Sequence, residues 1–298
     1  MNFIALLLAL GCERLFAAQL KLREPGWLLG YVRGALRRAG RHSDRALAIA
    51  VAVFALLPGL LVAGLIGLLG GSMHGIVSVL LAATVLFFAL GPRDLWQEAG
   101  EYLAAAARGD EAATARLAGE ILEHDARQRR GAGLESVAEA VFVQSNNRLF
   151  GVVFWFAILG PAGALTFRVS DLMRREAILR AERADAPPGA LDTSQACQRL
   201  HGVIAWAPAR LLALSFGLAG SFDESFAGWR GYLRSESDHF FDANDRLLVH
   251  AGRGALGSAF GAATDEGARV RAALGLAQRS LLVWLAAFAL LTVVAWIT

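Results

Sequence analysis

Long uncharged runs alternate with short charged ones along this chain, and the length of each run carries information. Between Arg45 and Arg93 there is no Asp, Glu, Lys or Arg. One bilayer crossing takes about 20 mostly apolar residues. The run is too long for one span and right for two. Gly70, Gly71, Ser72 and His74 mark its middle, which predicts a pair of helices, one near 46–70 and one near 74–91. Pro58 falls inside the first, where neighbouring helices can re-satisfy the freed carbonyl. Pro92 closes the second. The uncharged run Leu149–Phe167, flanked by Arg148 and Arg168, predicts a third span with a kink at Gly160-Pro161. Ser280–Thr298 predicts a fourth, with Trp284 and Trp296 near its ends as interfacial anchors.

Two apolar segments carry a charge. Near 3–20, Glu13 and Arg14 interrupt the run. A signal peptide fits poorly, because it wants positive charge before the apolar core and small residues at a cleavage site. The reading is an uncleaved helix, a fifth span if it crosses, with Glu13 facing protein. Near 200–220, Arg210 follows Pro208. An Arg at mid-span costs about 2.5–3.5 kcal/mol on the insertion scale. That segment is either re-entrant or a span whose Arg faces the bundle interior.

The stretches between the runs set expectations for orientation. Residues 21–45 carry Lys21, Arg23, Arg33, Arg37, Arg38, Arg41 and Arg45 against Glu24 and Asp44, so the positive-inside rule places them in the cytoplasm. The paired helices return the chain to the same side, which makes 92–148 cytoplasmic too. There Leu95, Tyr102 and Ala106 form one apolar stripe, and Ala113, Leu117 and Ile121 another. Gly109-Asp110 separates them, with Asp110 placed to cap the second helix. A single crossing at 149–167 would send 168–199 outside, whereas Arg168, Arg174, Arg175, Arg180 and Arg183 argue for inside. A hairpin-like third segment would reconcile the two, and both options stand at this point. No alternating strand pattern occurs. The fold class is all-α: a polytopic α-helical membrane protein with four to five spans and a cytoplasmic helical region at 92–148, read as one membrane domain over 1–298.

Composition agrees. The chain of 298 residues is 56% hydrophobic and 18% charged, with mean hydropathy +0.46. Soluble domains carry about 25% charge, so this one needs a lipid bilayer as partner. Two cysteines, Cys12 and Cys197, exclude a disulfide scaffold and a four-Cys zinc site. Lys21 is the only Lys, so the many Arg reflect coding bias. No nucleic-acid partner is expected. There is no phosphate loop, no paired His at metal spacing and no Gly-x-Ser-x-Gly. His42, His74, His124, His201, His239 and His250 are scattered and read as surface or turn residues. No metal site is expected.

Several blocks resemble one family. Met1-Asn2-Phe3 with Leu6–Leu10, then Glu13-Arg14-Leu15-Phe16, is similar to the start of AmpE-family proteins. Asn146-Asn147-Arg148-Leu149-Phe150-Gly151 through Phe156, running on to Leu159–Leu165 and Arg168, resembles that family's most recognisable block. Tyr102–Ala106, Gly109-Asp110 and Ala118-Gly119-Glu120 also fit. The resemblance implies a multi-pass protein of the bacterial inner membrane, linked to β-lactamase induction and cell-wall recycling, with a regulatory role and no cofactor. More distantly, the same blocks are similar to the membrane-bound cobinamide-phosphate synthases of the CobD/CbiB family. Gly109-Asp110, Ala115-Arg116 and Asp125 follow its pattern, with His124 where an Arg is expected, and Ala207-Pro208-Ala209-Arg210 resembles its Pro-Ala-Arg segment. That likeness implies an amide-forming enzyme, for which Mg and ATP are conceivable. A third class is a transporter or sensor for cell-wall fragments.

The candidate ligand-binding residues are Glu13, Asp110, Asp125, Asn146 and Arg210; no catalytic residue is assigned. Arg210 is either a buried cation for a phosphate or carboxylate, which guanidinium forks bind bidentately, or a structural partner for an acid such as Glu13, or a side chain that snorkels to the interface. Asp110 and Asp125 either hold a divalent cation on a phosphorylated ligand or serve as a helix cap and a solvated face. Glu13 is protonated, paired with an Arg, or faces a polar cavity. Asn146 bonds a ligand or caps the following helix. The small ligand expected for this set is cell-wall-derived or phosphorylated.

Overall fold

The computed structural model describes residues 26–42, 44–68, 76–90, 95–122, 136–234, 243–257, 260 and 265–297. Every regular element among them is helical: α1 (Gly26–Ala39), α2 (Asp44–Leu68), α3 (Ile76–Leu90), α4 (Leu95–Ala107), α5 (Glu111–Leu122), α6 (Val137–Ser145), a π-helical turn (Asn146–Phe150), α7 (Gly151–Ala181), α8 (Ala190–Ala219), α9 (Phe222–Arg234), α10 (Ala243–Leu256) and α11 (Glu266–Ile297). Among the described residues, four stretches are long and apolar enough to cross a membrane: Arg45–Leu68, Val137–Ala181, Ala190–Ala219 and Glu266–Leu290. The chain is a polytopic α-helical membrane protein. The expected helix near 3–20 and the expected turn at 70–74 lie outside the described residues.

α2 shows why lipid is the solvent. Leu47, Val51 and Ala55 are buried against protein, whereas Ile49, Val53, Leu60 and Leu61 are exposed. A helix apolar on all sides, with one face uncovered, suits hydrocarbon and not water.

The helices group into two compact units, one drawn from residues 1–93 and 147–205, the other from 94–146 and 206–298. In the first unit, α1 turns Leu28, Val32, Leu36 and Ala39 inward at helical spacing, against Val51 and Ala55 of α2, Leu165, Val169 and Met173 of α7, and Cys197 of α8. Tyr31 Oη donates to the Phe54 carbonyl at 2.6 Å, which ties α1 to α2.

α7 is not a straight rod. Gly160 has φ 64° and ψ −153°, a conformation open to glycine and costly for any L side chain. A Cβ at Gly163 would strike the Trp155 carbonyl, and one at Gly151 would strike the Phe167 ring. In an uninterrupted helix Gly151 and Phe167 would be about 24 Å apart. The chain therefore reverses at Gly160-Pro161, and the expected kink is a full helical hairpin. Its second arm packs along α2, with Gly59 against Ala162 and Thr166. Since Gly59 lies in the middle of the apolar run, the hairpin tip sits at that depth. The segment expected to cross once at 149–167 is thus two antiparallel arms, because glycine at position 160 permits a backbone turn that no helix continues through.

In the second unit, Gly109 (φ 69°) and Asp110 separate α4 from α5 as the pattern requires. Leu95 and Tyr102 are buried; Ala106 is exposed, and Ala105 takes its place on the inner face. Leu117 and Ile121 of α5 are buried. α6 starts on Ser136, whose Oγ accepts from Glu139 N at 3.3 Å. Phe142 packs on Phe216 and Phe260 with ring centroids 5.5 and 6.0 Å apart. Glu139, 1% exposed, is ion-paired with Arg253 of α10. Glu266 at the start of α11 accepts from Ala138 N at 3.2 Å, and Trp284 Nε1 donates to Ser215 Oγ at 2.7 Å.

Candidate functional site

The reversal at Gly160 gathers polar residues that lie far apart in sequence. Asn147, from the π-turn, and Ser170, from the second arm, would be separated by about 34 Å along a straight helix. Instead both reach one imidazole. His201 of α8 has Nε2 3.3 Å from Asn147 Oδ1 and Nδ1 3.1 Å from Ser170 Oγ. Asn147 Oδ1 is an acceptor, which puts the ring proton on Nε2. Nδ1 then accepts from the Ser170 hydroxyl, whose single proton also has the Phe167 carbonyl within 2.7 Å. The imidazole stacks at a tilt on Phe167, centroids 5.2 Å apart. Trp155 Nε1 donates to the Ile204 carbonyl at 3.1 Å and fastens the first arm to α8.

A second layer is ionic. Asp171 takes Arg168 Nη1 on one carboxylate oxygen at 3.3 Å and Arg174 Nη2 on the other at 2.8 Å. His201 Nε2 stands 3.9 Å from the same carboxylate. All four side chains are largely enclosed: Asp171 is 1% exposed, His201 4% and Arg168 5%. Residues 168, 171 and 174 recur every three positions on α7 and so share one face. Each oxygen of this carboxylate is engaged by a guanidinium group through a charge-assisted hydrogen bond. The Ser170–His201–Asp171 contacts do not form a nucleophilic triad, because the serine hydroxyl is buried and shared with its own helix carbonyl. The arrangement acts as a charged pin through the mouth of the hairpin: it fixes the two arms and α8 to one another in an apolar layer.

The residues singled out from sequence fare differently. Glu13 and Asp125 lie outside the described residues. Asp110 is the N-cap of α5, its Oδ1 accepting from Ala113 N at 3.0 Å and its carbonyl from Thr114 Oγ1 at 2.7 Å. These bonds stay within the start of its own helix, so they do not bring Asp110 to Arg210 or Asn146. Asn146 opens the π-turn and is buried. It also ends α6, with its backbone N–H given to Val143 O. A π-turn widens the helix and swings successive residues across the inner face, which is why Asn146, Asn147 and Arg148 are all buried together. Arg210 donates to the Trp206 carbonyl and to Asn244 Oδ1, both at 3.0 Å. Its guanidinium lies 4.1 Å from the Trp206 ring centroid, a cation–π contact. It is an anchored cation facing α10.

His201, expected to be a surface or turn residue, is the centre of the cluster. Arg168, expected as a charge flanking a span, and Arg174, expected as one of the basic residues that argue for the inside, line its core; Asp171 is not among the residues expected from sequence. The signal that points to them is the Arg-x-x-Asp-x-x-Arg spacing at 168, 171 and 174, a helical face that can neutralise itself. Among the described residues, no three His, Cys, Asp or Glu side chains converge as a metal site.

Comparison with known proteins follows the same blocks. The family model described as regulatory signalling modulator protein AmpE matches residues 1–297. The chain is similar to the cobalamin biosynthesis protein CobD of Chromobacterium violaceum, 28% identical over 187 residues, covering 62% of this chain and 57% of that protein. It is also similar to the CobD of Stutzerimonas stutzeri, 28% identical over 210 residues, covering 70% and 64%. The match thus spans about six-tenths of the length of these relatives. No solved structure matches the chain.

Proposed function

The chain belongs to the AmpE family, and from that premise we propose that it is a regulatory, signal-modulating protein of the bacterial inner membrane, linked to β-lactamase induction and cell-wall recycling. The observation that carries this reading is the family match along residues 1–297. The buried cluster around Asp171 and His201 agrees with it, because its polar groups are engaged with one another and hold helices in place. The test is deletion of the gene in its own host, followed by β-lactamase activity with and without inducer. A several-fold change in induction, restored by the gene in trans, is expected. Unchanged induction in a host that makes the protein overturns the reading.

A second reading rests on the CobD relatives: an amide-forming synthase that joins a corrinoid acid to an amino alcohol or its phosphate, with Mg and ATP as its cofactors. Under it, Asp110, Asp125, Asn146 and Arg210, with Glu13, would be the ligand-binding set. Cobalamin-dependent growth of a strain lacking the synthase decides it. Rescue by this chain supports the enzyme, and no rescue with good membrane insertion removes it. In either assay, Arg210→Ala with normal insertion separates a ligand role for that cation from a purely structural one.

A further inference from the structure

The first unit holds a cavity that neither reading uses. It has a volume of about 350 Å³ and is lined by Arg33, Leu36 and Arg37 of α1, Glu176 and Arg180 of α7, and Arg183 in the turn beyond. The only carboxylate among these side chains, Glu176, is already bound: Arg33 Nε donates to its Oε1 at 2.7 Å. Among the described residues, Arg37, Arg180 and Arg183 have no hydrogen bond, ion pair or ring contact. Three guanidinium groups therefore share one concavity without a carboxylate partner among the described residues, and the lining carries a net charge of +3. Like charges gathered at one concavity repel, and an anion between them relieves that repulsion.

The geometry points to the kind of anion. Guanidinium forks present several N–H donors in a plane and pair bidentately with carboxylate or phosphate. Three of them around one space suit a ligand that gathers several acceptor oxygens and negative charge on one centre, which a phosphate group, as monoester or diester, does more fully than a single carboxylate. The volume lies within the usual range for small-ligand pockets, about 300–1,000 Å³.

Position adds a second constraint. Arg37 stands at the end of α1, just before the apolar run of α2 begins at Arg45. Glu176 lies about 14 Å along α7 past Phe167, where the uncharged run ends. Both place the cavity where the apolar layer gives way to head groups. We propose that Arg37, Arg180 and Arg183 form a binding site for a phosphate group at the membrane surface, carried by an anionic phospholipid or by a soluble phosphate monoester. The inference goes beyond both functional readings and depends on neither.

The test uses the full chain in a neutral detergent, and then in nanodiscs. One arm titrates glycerol phosphate and inorganic phosphate by calorimetry. The other measures retention of phosphatidylglycerol against phosphatidylcholine by native mass spectrometry. Each arm is run on the parent, on the triple variant Arg37→Gln/Arg180→Gln/Arg183→Gln, and on the control Arg108→Gln in the other unit. The expected result is saturable binding in one arm, weakened at least tenfold in the triple variant and unchanged in the control. Binding of the soluble phosphates identifies a monoester site, and selective retention of phosphatidylglycerol identifies a lipid site. Should the triple variant not fold, Arg183→Gln alone, in an exposed turn, is expected to weaken binding several-fold. Binding in neither arm, or equal binding by parent and variants, overturns the proposal.

Discussion

Phe167 lays its ring over Gly151, so closely that a single methyl group on Gly151 has no place to go. This contact exists only because α7 doubles back on itself. Phe167 is fully buried and cannot swing aside into solvent. Gly151→Ala is therefore expected to destabilise the protein by about 1–3 kcal/mol, the usual cost of overpacking. Phe167→Leu should recover part of that loss, and a double-mutant cycle measured by thermal unfolding in detergent reads the coupling directly. Strict additivity of the two substitutions would mean that the arms do not touch.

Much of the fold can be read without coordinates, and the exceptions have physical causes. Charge-free runs mark apolar helices because an unpaired charge in hydrocarbon is costly, and the helix of Arg45–Leu68 follows from that alone. Asp110 is legible as a cap because a short acceptor one step before an apolar stripe has few other uses. The reversal at Gly160 is not legible in the same way. Gly-Pro inside an apolar run fits a kink and a turn equally well, and only the packing of Gly151 and Gly163 decides between them. His201 is missed for a related reason: its partners Asn147 and Ser170 become neighbours only after the hairpin closes. Arg168 is misread because the rule that charges end a span assumes one crossing, whereas here the charge is neutralised at the hairpin mouth.

Hairpin geometry also makes a topological prediction. Gly40, just beyond α1, lies beside Thr193 of α8, where an added Cβ would stand 3.4 Å from Oγ1, and α1 is tied to α7 through Arg33 and Glu176. Arg41 and Asp185 are then on one side of the bilayer, with Leu68 toward the other. In a background with Cys12 and Cys197 replaced, single cysteines at Arg41 and Asp185 should label together with an impermeant maleimide from the cytoplasmic face. A cysteine at Leu68, which is 86% exposed, should not. Opposite labelling of the Arg41 and Asp185 positions would rule out the re-entrant arrangement.

Asp171 is the anion at the centre of the pin. Removing its charge takes an ion-pair partner from both Arg168 and Arg174 at low exposure. Breaking a buried pair by deleting one partner typically costs about 3–5 kcal/mol. Asp171→Asn keeps the shape and loses the charge, so it isolates the electrostatic part. Its expected effect is a large fall in melting temperature, with Arg116→Gln, whose partner Glu120 is on the exposed face of α5, nearly neutral. If Asp171→Asn unfolds like the parent, the cluster does not hold the arms together.

Tyr102 sets a limit at high pH. It is buried in α4, and burial, followed by the charges of Glu266 and Asp265, raises its hydroxyl pKa above the ordinary value of 10.0. The folded state therefore keeps a proton that the unfolded chain releases near pH 10. Stability from this group is complete below pH 10 and is lost as pH rises from there through the raised native value. Melting temperature should fall with increasing pH in that window, and the fall should be shallower in Tyr102→Phe, which has no proton to lose. Tyr31, also raised by burial, keeps some slope in the variant. Thermal melts from pH 8 to pH 11, with tyrosinate absorbance followed in parallel, check both the sign and the residue. Identical slopes for parent and variant would show that Tyr102 ionises no later in the folded protein than in the unfolded one.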